Sequence, residues 1–170
     1  LLICQTGFMR DQLIRALPKS MNKIRIRIIP NPIDPDIVEK QSQEEIDTSS
    51  LGDYIVSAGR LIHLKGFDLL TRAFSKLPDT SLKLVILGEG DERSTLEELV
   101  QKEKLENLVI FIGRVDNVYP YFKKATACVV SSRIEGFPNV LLQMMSQNSK
   151  VISTLCAGGL EDIPGIFTFP

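Results

Sequence analysis

The chain has 170 residues, 44% of them apolar and 24% charged, and a formal net charge of −1. This is the balance of an ordinary soluble globule, long enough for one domain with a real core plus a remnant of another. No run approaches the ~20 apolar residues of a membrane-spanning helix and no signal peptide is visible. Cys4, Cys128, Cys156 and the single histidine, His63, lack any zinc or redox spacing, so the cysteines read as reduced, mostly buried thiols of a cytosolic protein.

Leu1 opens the chain in place of Met and Pro170 follows a strand-like segment, so an internal excerpt of a longer enzyme is expected. Residues 1–5 read as a strand end, and 8–17 as a short amphipathic helix with Phe8, Ile14 and Leu17 as its apolar members. Residues 24–29 alternate at period two, and Pro30-Asn31-Pro32-Ile33-Asp34-Pro35 stops all regular structure. Residues 1–27 carry Arg10, Arg15, Lys19, Lys23, Arg25 and Arg27 against Asp11 alone, whereas 34–53 carry seven acids against Lys40. Such a basic segment suits an anionic surface, or simply the solvated faces of a helix and a strand. Residues 39–53 are polar, acidic and serine-bearing, and are expected to form a partly disordered surface loop.

From Tyr54 strands and helices alternate without a break. Strands are expected at 54–58, 82–87, 107–112, 126–130, 149–153 and 166–169, and helices at 66–77, 91–103, 117–124 and 138–147. The first of these helices shows its core face in Leu70, Ala73, Phe74 and Leu77. The alternation predicts an α/β fold, a parallel sheet covered on both faces.

Two strand-to-helix passages carry charge. Residues 59–66 set Arg60 and Lys65 five residues apart beside a helix N-terminus, an arrangement suited to a diphosphate. Residues 131–137 follow the apolar run Ala127-Cys128-Val129-Val130 and turn on Gly136 into a helix opened by Pro138, in which Val140, Leu141, Met144 and Met145 recur with helical spacing. Glu135 therefore sits at a strand's carboxyl end, where an open α/β sheet binds its ligand. Gly88-Glu89-Gly90 follows another strand and permits close backbone approach to a flat ligand.

Gly59-Arg60-Leu61 with Lys65-Gly66, Gly88-Glu89-Gly90, Phe111-Ile112-Gly113 and Glu135-Gly136-Phe137-Pro138-Asn139-Val140-Leu141-Leu142 occur in that order. Together they resemble the donor-binding half of the retaining, family 4 glycosyltransferases of the GT-B fold, over roughly residues 25–165. The resemblance implies a Rossmann-like three-layer domain with a parallel sheet of about six strands. It divides the chain into a remnant of a preceding N-terminal acceptor domain (1–23), a crossover linker and polar loop (24–53), and a nucleotide-sugar-binding domain truncated at its C-terminus (54–170). It implies transfer of a hexosyl group from a nucleoside diphosphate sugar to a hydroxyl acceptor, with retention, in polysaccharide, lipopolysaccharide or glycolipid assembly, the fragment alone being inactive. The implied partners are the nucleotide sugar and the acceptor domain of the same enzyme, without nucleic acid. The implied place is the cytoplasm, with peripheral contact to the cytoplasmic face of a membrane through the missing domain.

In the same terms Arg60 and Lys65 hold the donor diphosphate, and no metal or other cofactor is expected because fixed cations already face the developing charge. Glu135 would act catalytically, touching sugar hydroxyls and steadying the positive anomeric centre; as a bland alternative it stabilises the helix N-terminus. Gly136, Phe137, Pro138, Asn139 and Val140 form the sugar and phosphate loop, and Gly88, Gly113, Arg114 and Val115 lie beside the base. Residues 157–163 resemble a small-residue loop bordering the pocket. His63 is not required by the pattern, and Met144 and Met145 read as core.

The pattern's second glutamate is replaced by Gln143, at the position implied for the ribose. An amide keeps an acceptor but loses the charge-assisted part of the bond. That departure keeps a non-catalytic nucleotide-sugar-binding module open as an alternative, beside another GT-B enzyme such as a nucleotide-sugar epimerase. A phosphorylase of that fold would carry a cofactor lysine motif that is absent from the sequence.

Overall fold

The computed structural model describes residues 1–18, 24–78, 81–161 and 163–169, so Lys19, Lys23, Asp162 and Pro170 lie outside the described residues. Leu2–Cys4 (β1) and Ile26–Ile28 (β2) pair in parallel as a separate two-stranded sheet, with Gly7–Ala16 (α1) between them in sequence. Thr6 caps α1 by accepting from the Met9 N–H at 3.1 Å. Its half-buried apolar residues are Met9 and Leu13; Phe8 and Ile14, read as its apolar members, are 45% and 53% exposed.

The proline-rich stretch does not end regular structure. Asp34 accepts from the Asp36 and Ile37 N–H groups at 3.0 and 3.2 Å, Pro35 takes the first helical position, and a helix runs over Pro35–Ser42 (α2). The expected loop at 39–53 is therefore helical at its start. The remainder is fastened to the domain, since Lys124 donates to the Ile46 carbonyl at 2.9 Å, Lys83 to the Ser50 carbonyl at 2.6 Å, and Leu51 is buried.

The main sheet contains Tyr54–Ala58 (β3), Lys83–Leu87 (β4), Val109–Gly113 (β5), Ala127–Val130 (β6), Val151–Thr154 (β7) and Ile166–Phe169 (β8). All neighbours are parallel, in the order β5-β4-β3-β6-β7-β8. Phe67–Phe74 (α3) and Arg93–Lys102 (α4) cover one face, packing Phe67, Leu70, Phe74 and Leu96 on Leu84 and Ile86. Tyr119–Lys124 (α5) and Asn139–Met145 (α6) cover the other, packing Phe122, Leu141 and Met144 on Val85, Leu87 and Val130. Successive residues of β4 feed opposite cores, the reason its apolar run does not alternate.

Each strand and helix expected from Tyr54 onward is present, and the fold class is α/β with six parallel strands. The α3 core face is shifted, however: it begins at Phe67 and includes Thr71, whereas Ala73 is exposed and Leu77 is 43% exposed beyond the helix end. Pro138 precedes the first turn of α6 in an extended conformation and does not itself lie in the helix. All three cysteines are free and buried, with burial pushing the Cys128 thiol up to about 12. No helix among the described residues is long and apolar enough to cross a membrane.

The strand order places a topological switch between β3 and β6. The chain builds outward from β3 through β4 to β5, returns to the other side of β3, and builds outward again from β6. The loops leaving the carboxyl ends of β3 and β6 consequently lie side by side at the edge where such sheets bind ligands.

Gly66 lies at φ +64°, and a Cβ there would come within 2.1 Å of the Ser131 carbonyl oxygen, whereas Gly52 at φ +61° has nothing within 4 Å. Gly52→Ala is expected to cost only the left-handed backbone, about 1–2 kcal/mol. Gly66→Ala is expected to cost clearly more, because the 131 carbonyl must also move. Urea unfolding of the two variants measures the difference; equal losses would show that the carbonyl imposes no constraint.

Candidate functional site

The loop after β3 nests on the loop after β4. The Leu61 N–H donates to the Glu89 carbonyl and the Gly59 N–H to the Leu87 carbonyl, each at 2.9 Å. Gly88 is essential to the fit, since a Cβ would fall 1.9 Å from the Gly59 carbonyl oxygen. Beside these loops opens a cleft of about 440 Å³ lined in part by Arg60, Gly88, Glu89, Arg114, Val115 and Val118. Arg60 from the diphosphate reading and Gly88, Arg114 and Val115 from the base reading therefore share one cavity. Gly113 ends β5 next to Arg114, and its carbonyl accepts from the Gly88 N–H at 2.7 Å.

Residues 63–65 form a single 3₁₀ turn, and Gly66 in the left-handed region both closes that turn and opens α3. The Lys65 stem lies across Gly59, within 3.6 to 3.7 Å of where a Cβ would stand. Its ammonium does not join Arg60; it pairs with the Glu135 carboxylate, both side chains being mostly buried. Glu135 also accepts from the Ser132 hydroxyl at 2.8 Å, and its N–H donates to the Cys156 carbonyl at 2.7 Å. The cation read as a phosphate ligand and the acid read as a sugar ligand are thus direct neighbours.

The rest of the 136–140 loop divides. Gly136 is exposed, Phe137 faces a cavity of about 650 Å³ shared with Phe8, Asn31 and Leu142, and Val140 packs against the core. The Asn139 amide oxygen accepts from Asn31, which in turn accepts from Gln5 at 2.9 Å, so this side chain is held by the linker. Gln143 donates its amide N–H to the Tyr119 hydroxyl at 3.5 Å, one residue from Val118 of the cleft wall. His63 is largely exposed, with Nδ1 3.8 Å from the Glu92 carboxylate.

Sequence reasoning missed the residues that fasten these loops. Both Arg133 amino groups donate at 2.7 Å to the Asp68 carboxylate, and Nη1 also donates to the His63 carbonyl at 2.8 Å. The Arg133 N–H reaches the Leu64 carbonyl at 2.8 Å and the Ser131 hydroxyl the Lys65 carbonyl at 3.0 Å. An arginine two residues before Glu135 and an aspartate in the first turn of α3 were the only traces in the sequence. The Arg133 guanidinium holds the Asp68 carboxyl below its usual range, and Asp68 raises Arg133 in return.

A doubly covered parallel sheet with a cation-bearing cleft at the carboxyl ends of β3, β4 and β5 defines a Rossmann-like class of domain. The family model for glycosyl transferases group 1 matches residues 38–165, and the chain belongs to that family. It is 35% identical over 147 residues to the N-acetylgalactosamine-N,N'-diacetylbacillosaminyl-diphospho-undecaprenol 4-alpha-N-acetylgalactosaminyltransferase of Campylobacter jejuni, covering 86% of this chain and 39% of that protein. It is 32% identical over 136 residues to the lipopolysaccharide core biosynthesis glycosyltransferase LpsE of Rhizobium meliloti, covering 80% of this chain and 39% of that one. The chain thus spans less than half the length of these relatives.

The fold is that of a Rossmann-like domain of GT-B glycosyltransferases. Sucrose-phosphate synthase from Thermosynechococcus elongatus superposes with a TM-score of 0.81 at 23% identity, covering 99% of this chain and 44% of that one. Anabaena HepE in complex with UDP gives 0.81 at 19% identity, covering 99% and 49%.

Because the folded state holds the Asp68 carboxyl below its unfolded value, the bridge stabilises the fold above the ordinary carboxylate range and is lost as pH falls through and below it. Wild type is therefore expected to exceed Asp68→Asn in urea stability at pH 7, with the gap closing on acidification. A gap independent of pH would show that charge plays no part in the bridge.

Proposed function

We propose that the chain supplies the donor site of a glycosyltransferase that moves a hexosyl group from a nucleoside diphosphate sugar to a hydroxyl acceptor with retention. The observation that carries this reading is the Lys65–Glu135 pair at the switch point, beside the cleft that holds Arg60. One end of that arrangement suits a phosphate and the other a sugar.

The acceptor's hydroxyl oxygen forms a bond to the anomeric carbon while the bond from that carbon to the diphosphate oxygen breaks. The nucleoside diphosphate leaves with the electron pair, and the hydroxyl proton passes to it. Negative charge grows on the diphosphate, where Arg60 and Lys65 offset it without need of a metal. Glu135 contacts the sugar hydroxyls and stabilises positive charge at the anomeric centre. Arg114, Val115, Gly88 and Gly113 flank the base, Gln143 faces the ribose, and residues 136–140 border the sugar.

An N-terminal domain of the same enzyme, to which residues 1–23 belong, holds the acceptor and supplies any contact with a membrane at its cytoplasmic face. The names of the C. jejuni and R. meliloti relatives support a glycan or lipid-linked acceptor. UDP in the HepE complex supports a nucleoside diphosphate as the ligand class.

Calorimetry with UDP, GDP and ADP is expected to find one that binds, more weakly as salt rises because Arg60 is open to solvent. Lys65→Ala should weaken that binding about tenfold, the scale of one charge-assisted hydrogen bond. Absence of binding by all three at millimolar concentration would remove the donor-site reading.

A non-catalytic sugar-nucleotide module is favoured by one feature, Gln143 with its amide turned to Tyr119. Gln143→Glu is expected to tighten nucleotide binding by about 0.5–1.5 kcal/mol, the gap between neutral and charge-assisted bonds. The gain should vanish with a 2′,3′-dideoxy analogue. An equal effect on both ligands, or none, would detach Gln143 from the ribose and favour the module.

A further inference from the structure

Arg133 has no place in the chemistry proposed above, yet it ties the two loops of the switch point together. Its guanidinium reaches from the loop after β6 to the Asp68 carboxylate and the His63 carbonyl, and its own N–H reaches the Leu64 carbonyl. Ser131 adds a bond to the Lys65 carbonyl and packs its own carbonyl over Gly66. The backbone of 63–66 is thereby fixed residue by residue against 131–133.

That restraint bears on one side chain above all. Lysine carries four flexible carbons, and its ammonium is placed only as well as its backbone is placed. Here the Ser131 hydroxyl and the Arg133 backbone N–H hold the Lys65 and Leu64 carbonyls, the Arg133 guanidinium clamps His63 and Asp68 on either side of them, and the Lys65 stem is laid across Gly59 toward Glu135. A second lysine at position 133 would supply charge but no planar fork, and could not engage both Asp68 oxygens and a carbonyl in one geometry.

We propose that Arg133 is a positioning residue of the donor site, which sets the Lys65 ammonium where the diphosphate meets the sugar and so couples the phosphate loop to the sugar loop. The inference rests on the donor-site reading. It assigns to Arg133 an effect exerted through Lys65 and none through Arg60, which sits at the other end of the same loop, where the Gly59 and Leu61 N–H groups are held by the Leu87 and Glu89 carbonyls.

The test is a double-mutant cycle read by calorimetry with the tightest binder among UDP, GDP and ADP, below the measured unfolding temperature of each variant. Arg133→Ala is expected to weaken binding about as much as Lys65→Ala, roughly tenfold. The Lys65→Ala, Arg133→Ala double variant should be no weaker than Lys65→Ala alone, whereas Arg60→Ala combined with Arg133→Ala should show both losses in full. A general structural role would lower the unfolding temperature without that selectivity. Additive losses at Lys65 and Arg133, or unchanged affinity in Arg133→Ala, overturn the proposal. If Arg133→Ala does not fold, Arg133→Lys enters the same cycle with the same expected pattern and the same refuting ones. Failure of wild type to bind any of the three nucleotides overturns the donor-site reading, and this inference with it; binding with additive losses overturns the inference alone.

Discussion

The order β5-β4-β3-β6-β7-β8 is the constraint from which the rest of the molecule follows. Building outward twice from the centre of one sheet sets the β3 and β6 loops side by side at its carboxyl edge, where such sheets bind ligands. It also leaves both faces of the sheet to be covered by helices. The α3 and α6 segments that follow those loops must then descend on opposite faces, as their separate cores show. A site built on two such loops inherits its geometry from the sheet, the most rigid part of the domain.

Adjacent loops would by themselves be too loose for chemistry, and backbone contact locks them together. Gly88 admits the Gly59 carbonyl and Gly66 admits the Ser131 carbonyl, at separations no Cβ would tolerate. Three loops thus share a packed floor. Charge-assisted bonds from Arg133 to Asp68, partly shielded from water, close the same floor from the side.

What could be read in the sequence was what depends on local pattern. Strands with continuous apolar runs, helices with spaced Leu and Phe, and the glycine and charge punctuation of 59–66, 88–90 and 135–142 are all written in neighbouring residues. What could not be read depends on partners far away in the chain. The helix of 35–42 was hidden because Pro35 is both a helix breaker and a good first helical residue, and the capping geometry of Asp34 decides between them. The shifted core face of α3 follows from Gly66, which starts the helix one residue later and turns Phe67 inward. Arg133 and Asp68 lie 65 residues apart, and nothing local announces that they meet.

The electrostatics of the pair at the centre reveal a conflict that the surrounding cations resolve. In the donor site proposed above, a carboxylate at the sugar end opposes the ligand's charge; at an effective dielectric of about 20 two unit charges 4 Å apart interact by about 4 kcal/mol. Lys65 cancels Glu135 at contact distance, so the pair presents little net charge to an approaching anion. Attraction at longer range then falls to the exposed Arg60 and Arg114, which line the cleft together, partly opposed by Glu89, itself 3.7 Å from Arg93. The division of labour explains why the two cations of one loop are not side by side. If the site takes a sugar nucleotide as proposed, Arg60 serves the field of the cleft, while Lys65 neutralises Glu135 and keeps its remaining ammonium hydrogens for the phosphate.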